Sequence, residues 1–266
     1  LAFSDPVFHF RPKKAAAQER TPFLKGVSRT ILRIGGTVAA AVARKELAVF
    51  FRDPTIRHRI LSSVFYILIP FTALFVVRNP MPGRRFEIEL GGFFLIFSEM
   101  LFLTNLFGVE GVAIRNLLWF PAPRRRILFG KNLAYFPLFA PFYAPVLTAL
   151  AAFTGSLDKI GLAIALHFSA LIVVMALGNV TSVYFPFPFL APGQRMQRRD
   201  EGGCLMILAR SVLYLATFIL FSPVIAASLV LHEAPWTWLA AAVGLVYSAG
   251  LYLFALNLAE RALLER

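Results

Sequence analysis

Residues 160–185 read IGLAIALHFSALIVVMALGNVTSVYF, an apolar run that contains no charged side chain. About 20 apolar residues in a helix are enough to cross the roughly 30 Å hydrocarbon core of a bilayer, because each residue advances about 1.5 Å. Pro186 and Pro188 follow directly, and proline ends a helix because it has no N–H to donate. The sequence therefore predicts a transmembrane helix here.

The rest of the chain has the same character. Its 266 residues are 58% hydrophobic and only 15% charged, with a mean hydropathy of +0.70, whereas about a quarter of the residues of a soluble domain are charged. We therefore predict an all-α, polytopic membrane protein with six transmembrane helices. The predicted spans are 54–77 (apolar from residue 60), 90–108, 132–153, 160–185, 204–231 and 236–258.

Residues 1–53 are predicted to be a cytoplasmic lead-in that ends in a connecting helix, and residues 54–266 to be the membrane domain. Between 24 and 50, apolar residues at three- and four-residue spacing share one helix face, and basic residues lie opposite. The apolar face comprises Leu24, Val27, Ile31, Ile34, Val38 and Val42. This pattern predicts an amphipathic helix lying on membrane lipids at the cytoplasmic interface. The alternative is a helix packed on a neighbouring protein domain.

The net charge of +13 is distributed between the apolar runs rather than on one basic domain, so we predict no nucleic-acid partner. Four basic residues lie on one predicted side of the membrane: Arg78, Arg84, Arg85 and Lys159. All the others of the 27 lysines and arginines lie on the opposite side. The positive-inside rule then predicts cytoplasmic termini and a multi-pass protein of the inner (plasma) membrane.

The motifs of catalysis and cofactor binding are missing from the sequence. None of the four histidines has a carboxylate or a second histidine at metal-ligand spacing within a span. Gly130-Lys131 lacks the preceding glycine and the following Ser or Thr of a phosphate-binding loop. We therefore predict no catalytic, metal or cofactor site, and a protein that is not an enzyme.

Two polar residues, Glu99 and His167, fall within predicted spans. Such residues are costly in a membrane and often functional. Glu99 could serve a proton relay or a cationic substrate, but we favour a structural carboxyl group because no second carboxylate accompanies it in the spans. His167 is predicted to bond between helices.

The predicted cytoplasmic loop at about 109–131 combines charge with an apolar cluster. Its candidate docking residues are Glu110, Gly111, Arg115, Leu117, Leu118, Trp119, Phe120, Arg124, Arg125 and Arg126. A short helix with an exposed aromatic face suits a groove on a cytosolic partner. The alternative is a helix that rests on the lipid headgroups.

Three segments resemble the permeases of ABC-2-type transporters, from about Lys45 to the C-terminus. They are Lys45-Glu46 with Phe51-Arg52-Asp53-Pro54; Asn105-Leu106-Phe107-Gly108 through Glu110-Gly111 and Leu117-Leu118 to Pro121, Arg126-Ile127-Leu128 and Gly130-Lys131-Asn132-Leu133-Ala134; and Gly178-Asn179 with Ser182 and Tyr184-Phe185-Pro186. The middle segment is the most specific.

The resemblance implies a transport subunit with a connecting helix, six spans and a coupling helix at 110–120. It places Lys45, Glu46, Arg52 and Asp53 at the entry to the first span and near the ATPase. It also implies that a separate nucleotide-binding subunit holds ATP and Mg²⁺. A second permease unit, or the other half of a two-half permease, would complete the transport path.

Two other functions compete with the transport subunit. A non-transporting accessory subunit of a larger membrane complex would also have few polar residues in its spans, and an ATPase in a native pull-down separates the two. An intramembrane lipid enzyme ranks last, because such enzymes cluster Asp, Glu or His near an interface.

Overall fold

The computed structural model describes residues 22–54, 57–58, 62, 95–96, 100, 103–107, 121–184, 199–230 and 236–265. Every regular element in these ranges is helical. The long helices are α1 (Pro22–Arg52), α2 (Arg124–Thr154), α3 (Ile160–Tyr184), α4 (Arg199–Val230) and α5 (Trp236–Leu264), and a 3-10 turn (Leu157–Lys159) joins α2 to α3. The all-α prediction is therefore confirmed for the described part of the chain.

Two segments in the described ranges, Leu157–Tyr184 and Trp236–Leu264, are long and apolar enough to cross a membrane. Helix α2 is a third candidate if its two arms, which are bent by 44°, form one span. Prolines 137, 141 and 145 flank the bend, where each removes a backbone hydrogen bond. Helix α4 contains a further apolar stretch, Ser211–Ala226. Most of the residues of predicted spans 54–77 and 90–108 lie outside the described ranges.

Helices α3 and α5 run in the same direction and pack along their length, the most extensive helix pair among the described elements. Near their N-termini, Gly161 faces the ring of Trp238. Near their C-termini, Asn179 and Tyr252 meet around Asn132 of α2. Because Asn132 is close to the start of α2, that helix runs antiparallel to both.

Helix α1 packs against α2. This corrects part of the prediction that the apolar face of α1 lies on membrane lipids. Gly36 has φ 73° and interrupts α1 with a kink, so the apolar residues do not continue as one stripe. Ile31 and Val42 are buried, but Ile34 is 62% exposed. After the kink, small side chains let the two backbones approach, and Gly130 of α2 lies against Ala39. The buried face of α1 therefore contacts protein rather than lipid.

The predicted cytoplasmic loop also ends earlier than expected. Helix α2 begins at Arg124, so residues 124–131 are helical rather than part of a loop at 109–131. Pro123 precedes the first turn, whose N–H groups have no acceptor within the helix, so a proline at this place costs no helical hydrogen bond. Lys131 consequently lies two turns inside a packed helix.

Gly178 of α3 provides a test of this packing. A Cβ atom there would collide with the backbone carbonyl of Leu103, whereas a Cβ at Gly250 of α5 would meet nothing within 4 Å. We expect Gly178→Ala to lower the free energy of unfolding by about 1–3 kcal/mol, because backbone cannot yield as a side chain does. Gly250→Ala should be neutral or stabilising by up to about 1 kcal/mol. Equilibrium unfolding in mixed micelles measures both, and equal effects would contradict the packing.

Candidate functional site

A buried lysine joins three parts of the chain near the start of α2. The Lys131 ammonium lies 2.9 Å from Glu46 Oε1 of α1 and donates to the Leu106 carbonyl oxygen at 2.9 Å. It also lies 5.2 Å from the centre of the Phe107 ring, close enough for a cation–π interaction. The Lys131 side chain is 1% exposed and that of Glu46 10% exposed. One side chain thus ties α1 and the 103–107 segment to α2.

Burial makes this arrangement costly to break. A lysine is rarely buried without a partner, because removing its charge from water costs several kcal/mol. Here a carboxylate, a carbonyl oxygen and an aromatic face replace the lost hydration. Lys45 also approaches Glu46 Oε1, at 3.3 Å, but its side chain is 46% exposed. The two lysines therefore share one carboxylate oxygen in very different surroundings.

The 103–107 segment is held from the other side by α3. The Leu106 N–H donates to Ser182 Oγ at 2.7 Å, and Thr181 Oγ1 donates to the Thr104 carbonyl oxygen at 2.8 Å. The segment leaves helical geometry at Thr104, so its backbone groups need partners outside a helix. Together with Glu46 and Lys131, these residues form what we term the polar junction (Glu46, Thr104, Leu106, Lys131, Thr181 and Ser182).

A second set of polar side chains lies beside the junction. Two of its members are asparagines, one directly after Lys131 on α2 and one directly after Gly178 on α3. Asn132 Nδ2 donates to Asn179 Oδ1 at 2.8 Å and to the Tyr252 hydroxyl oxygen at 2.9 Å. We term these three residues the asparagine cluster. Asn132 is 1% exposed and Asn179 is fully buried. The cluster links α2, α3 and α5, and interhelical bonds of this kind favour helix association in membranes.

The predicted coupling segment lies between these anchors and the start of α2. At its N-terminal side, Leu106 is fixed by Lys131 and Ser182. At its C-terminal side, the Arg125 N–H donates to Glu260 Oε1 of α5 at 3.2 Å. The described residues on either side of the segment are therefore bonded to α2, α3 and α5.

The structure locates some of the predicted site residues and not others. Lys45 and Glu46 lie on α1 and meet the junction, while Arg52 is the last residue of α1 and Asp53 follows it. Arg124, Arg125 and Arg126 form the first turn of α2 and are partly or fully exposed. The predicted residues outside the described ranges are Glu99, Glu110, Gly111, Arg115, Leu117, Leu118, Trp119 and Phe120.

His167 is buried between α2 and α3, where an interhelical role was predicted. Its ring centroid is 4.9 Å from that of Tyr143 and 6.2 Å from that of Phe168. These rings line a cavity of about 50 Å³ between the two helices. The cavity has room for water, and its lining is apolar apart from His167 and Tyr143.

In the described ranges no group of His, Cys, Asp and Glu side chains is arranged to hold a metal ion. The polar junction contains one carboxylate, and Lys131 and Lys45 already engage it. At the junction these side chains bind one part of the chain to another.

Lys131, Ser182 and Tyr252 were not predicted as site residues. Lys131 was placed at the end of a polar loop, where a lysine is ordinarily exposed, and only the early start of α2 buries it. Ser182 and Tyr252 sit in apolar runs where single polar residues are common. The available signal was Glu46, an acidic residue facing the apolar side of an otherwise basic helix.

Comparisons with known proteins add no family. No protein-family model matches this chain, and no curated protein or solved structure matches it.

The two lysines on Glu46 allow a matched test of the junction. We expect Lys131→Met to lower the free energy of unfolding by about 3 kcal/mol or more, because it leaves Glu46 paired only with an exposed lysine. Lys45→Met should cost at most about 1 kcal/mol. Combining Lys131→Met with Glu46→Gln should cost less than the sum of the single changes. Equal losses for the two lysines, or strict additivity, would mean that the buried pair does not hold α1.

Proposed function

We propose that this chain is the membrane permease subunit of an ABC-2-type ATP-binding cassette transporter. In this proposal it moves substrate across the inner (plasma) membrane using ATP hydrolysed, with Mg²⁺, on a separate nucleotide-binding subunit. Six transmembrane helices, cytoplasmic termini and a second permease unit or half belong to the proposal. The described helices support it at the coarser level of an all-α protein with two or three candidate spans.

One observation carries the proposal: the three segments that resemble such permeases meet in space. Glu46 comes from the first segment, Leu106 and Lys131 from the second, and Ser182 from the third. Asn132 and Asn179 connect the second and third segments again. The contacts between different segments join residues that are 47 to 85 positions apart in the chain, and the resemblance of each segment rests on sequence alone. Their convergence supports a common role for them.

The mechanism we propose is mechanical coupling. Closure of the ATPase subunits would push the segment between Phe107 and Arg124, and its two anchored ends would pass the movement on. The Lys131 ion pair would carry it to α1, and the bonds of Ser182 and Glu260 would carry it to α3 and α5. The bend in α2 then lies on the route from the coupling segment to the far side of the membrane.

The proposed orientation is testable with single cysteines. In a Cys204→Ser background, Asp158→Cys places a thiol in the exposed turn between α2 and α3, and Glu265→Cys places one at the exposed end of α5. A membrane-impermeant maleimide added to intact cells should label the first thiol and not the second, because the positive-inside rule puts the C-terminus in the cytoplasm. Labelling of Glu265→Cys in intact cells would contradict the orientation.

The proposed ATPase contact is tested by a matched pair of triple variants. Arg115→Ala, Trp119→Ala and Phe120→Ala remove one charge and two rings from the coupling segment. The control variant makes the same removals between α3 and α4, at Phe187, Phe189 and Arg195. We expect the first variant to lose most of the ATPase from a native pull-down and the control to retain it, because aromatic and arginine side chains dominate binding energy at interfaces.

Both variants must reach the membrane at the native level for this comparison. Undiminished ATPase capture by the coupling variant would contradict the coupling role. If the native protein captures no ATPase but does capture other membrane subunits, the accessory-subunit function replaces the transport subunit.

A further inference from the structure

The asparagine cluster contains two hydrogen-bonding atoms that the protein leaves unpaired. Asn132 Oδ1 and Asn179 Nδ2 are buried and form no hydrogen bond of good geometry within the described structure, although the Asn179 side chain lies near the Tyr252 hydroxyl. Asn132 Nδ2 is saturated, because its two hydrogens go to Asn179 and Tyr252. One acceptor and one donor therefore remain in the same cluster.

This result does not depend on which way the carboxamides are turned. Rotating both by half a turn exchanges oxygen and nitrogen in each. Asn179 then donates to Asn132, and the Tyr252 hydroxyl donates to the same oxygen. Asn132 Nδ2 and Asn179 Oδ1 become the unpaired atoms. Either orientation leaves one donor and one acceptor, and each destabilises the folded protein if nothing satisfies it.

Two buried serines differ from the asparagines in this respect. Ser169 Oγ and Ser248 Oγ also lack a partner. A serine hydroxyl in a helix can turn to the carbonyl oxygen four residues earlier and satisfy itself locally. The asparagine amides are already committed to each other and lack that option.

We propose that the asparagine cluster binds a single water molecule, which donates to Asn132 Oδ1 and accepts from Asn179 Nδ2. Water is the smallest molecule that both donates and accepts, and the cluster is closed on three sides by packed helices. Buried waters occupy such positions in proteins and make two to four hydrogen bonds. The bound water completes the polar contacts that hold α2, α3 and α5 together. The proposal is independent of the transport function.

Hydroxyl-radical footprinting of the full chain in lipid nanodiscs tests this site, with water itself as the probe. Radicals generated from a bound water hydroxylate the nearest aromatic ring. Tyr252 is the reporter, since its hydroxyl contacts Asn132. Tyr135 on α2 is the matched control, because it is 8% exposed and Tyr252 is 9% exposed. We expect Tyr252 to be labelled several-fold faster than Tyr135. Equal rates would overturn the proposal.

A double variant locates the water. Asn132→Leu with Asn179→Leu removes all four amide atoms at similar volume, so that only the Tyr252 hydroxyl remains of the cluster. Labelling of Tyr252 should fall to the rate of Tyr135 while Tyr135 itself is unchanged. Persistent fast labelling of Tyr252 would mean that its water lies elsewhere and would overturn the assignment. If the double variant fails to fold, the labelling rates of Tyr252 and Tyr135 in the native protein still decide whether a water is bound beside Tyr252.

Discussion

The buried ammonium of Lys131 is the constraint on which the described structure depends. A charge that is 1% exposed must find partners within the protein, because water cannot supply them. Its partners come from a helix 85 residues earlier in the chain and from a segment 25 residues earlier. To bring them within reach, α1 must lie along α2, and the 103–107 segment must leave its helix beside them. Ala39 of α1 and Gly130 of α2 are small enough to let the two helix backbones come this close.

The polar junction and the asparagine cluster connect α2 to different parts of the structure. Lys131 joins α2 to α1 and to the 103–107 segment, whereas Asn132, the next residue, joins α2 to α3 and α5. Successive residues on a helix point about 100° apart, so one turn of α2 can serve both sides. Apolar packing alone would let these helices slide, because lipid tails are as apolar as leucine. Directional polar bonds fix their register at the end where we propose that the ATPase acts.

Sequence reasoning predicted what depends on long-range averages and missed what depends on a few residues. The apolar runs predicted helices, and α3 and α5 occupy the predicted spans closely, because hydropathy over about 20 residues determines whether a helix suits a membrane. The end of the loop at 109–131 was predicted too late in the sequence. The three arginines at 124–126 suggested a surface loop, but they form the first turn of α2. The single stripe on α1 was wrong at Ile34, which is exposed, and a kink at Gly36, a glycine with positive φ, separates the residues before it from those after it. The role of Lys131 could not be predicted, because burial of a charge depends on which distant carboxylate the fold brings to it.

The central claim, that a buried ion pair locks α1 to the start of α2, is tested most directly by the position of the Lys131 side chain in an electron cryomicroscopy map of the protein in a lipid bilayer. We predict that Nζ lies within hydrogen-bonding distance of both the Glu46 carboxylate and the Leu106 carbonyl oxygen. A lysine side chain that extends to the aqueous surface, with α1 separated from α2, would contradict the account.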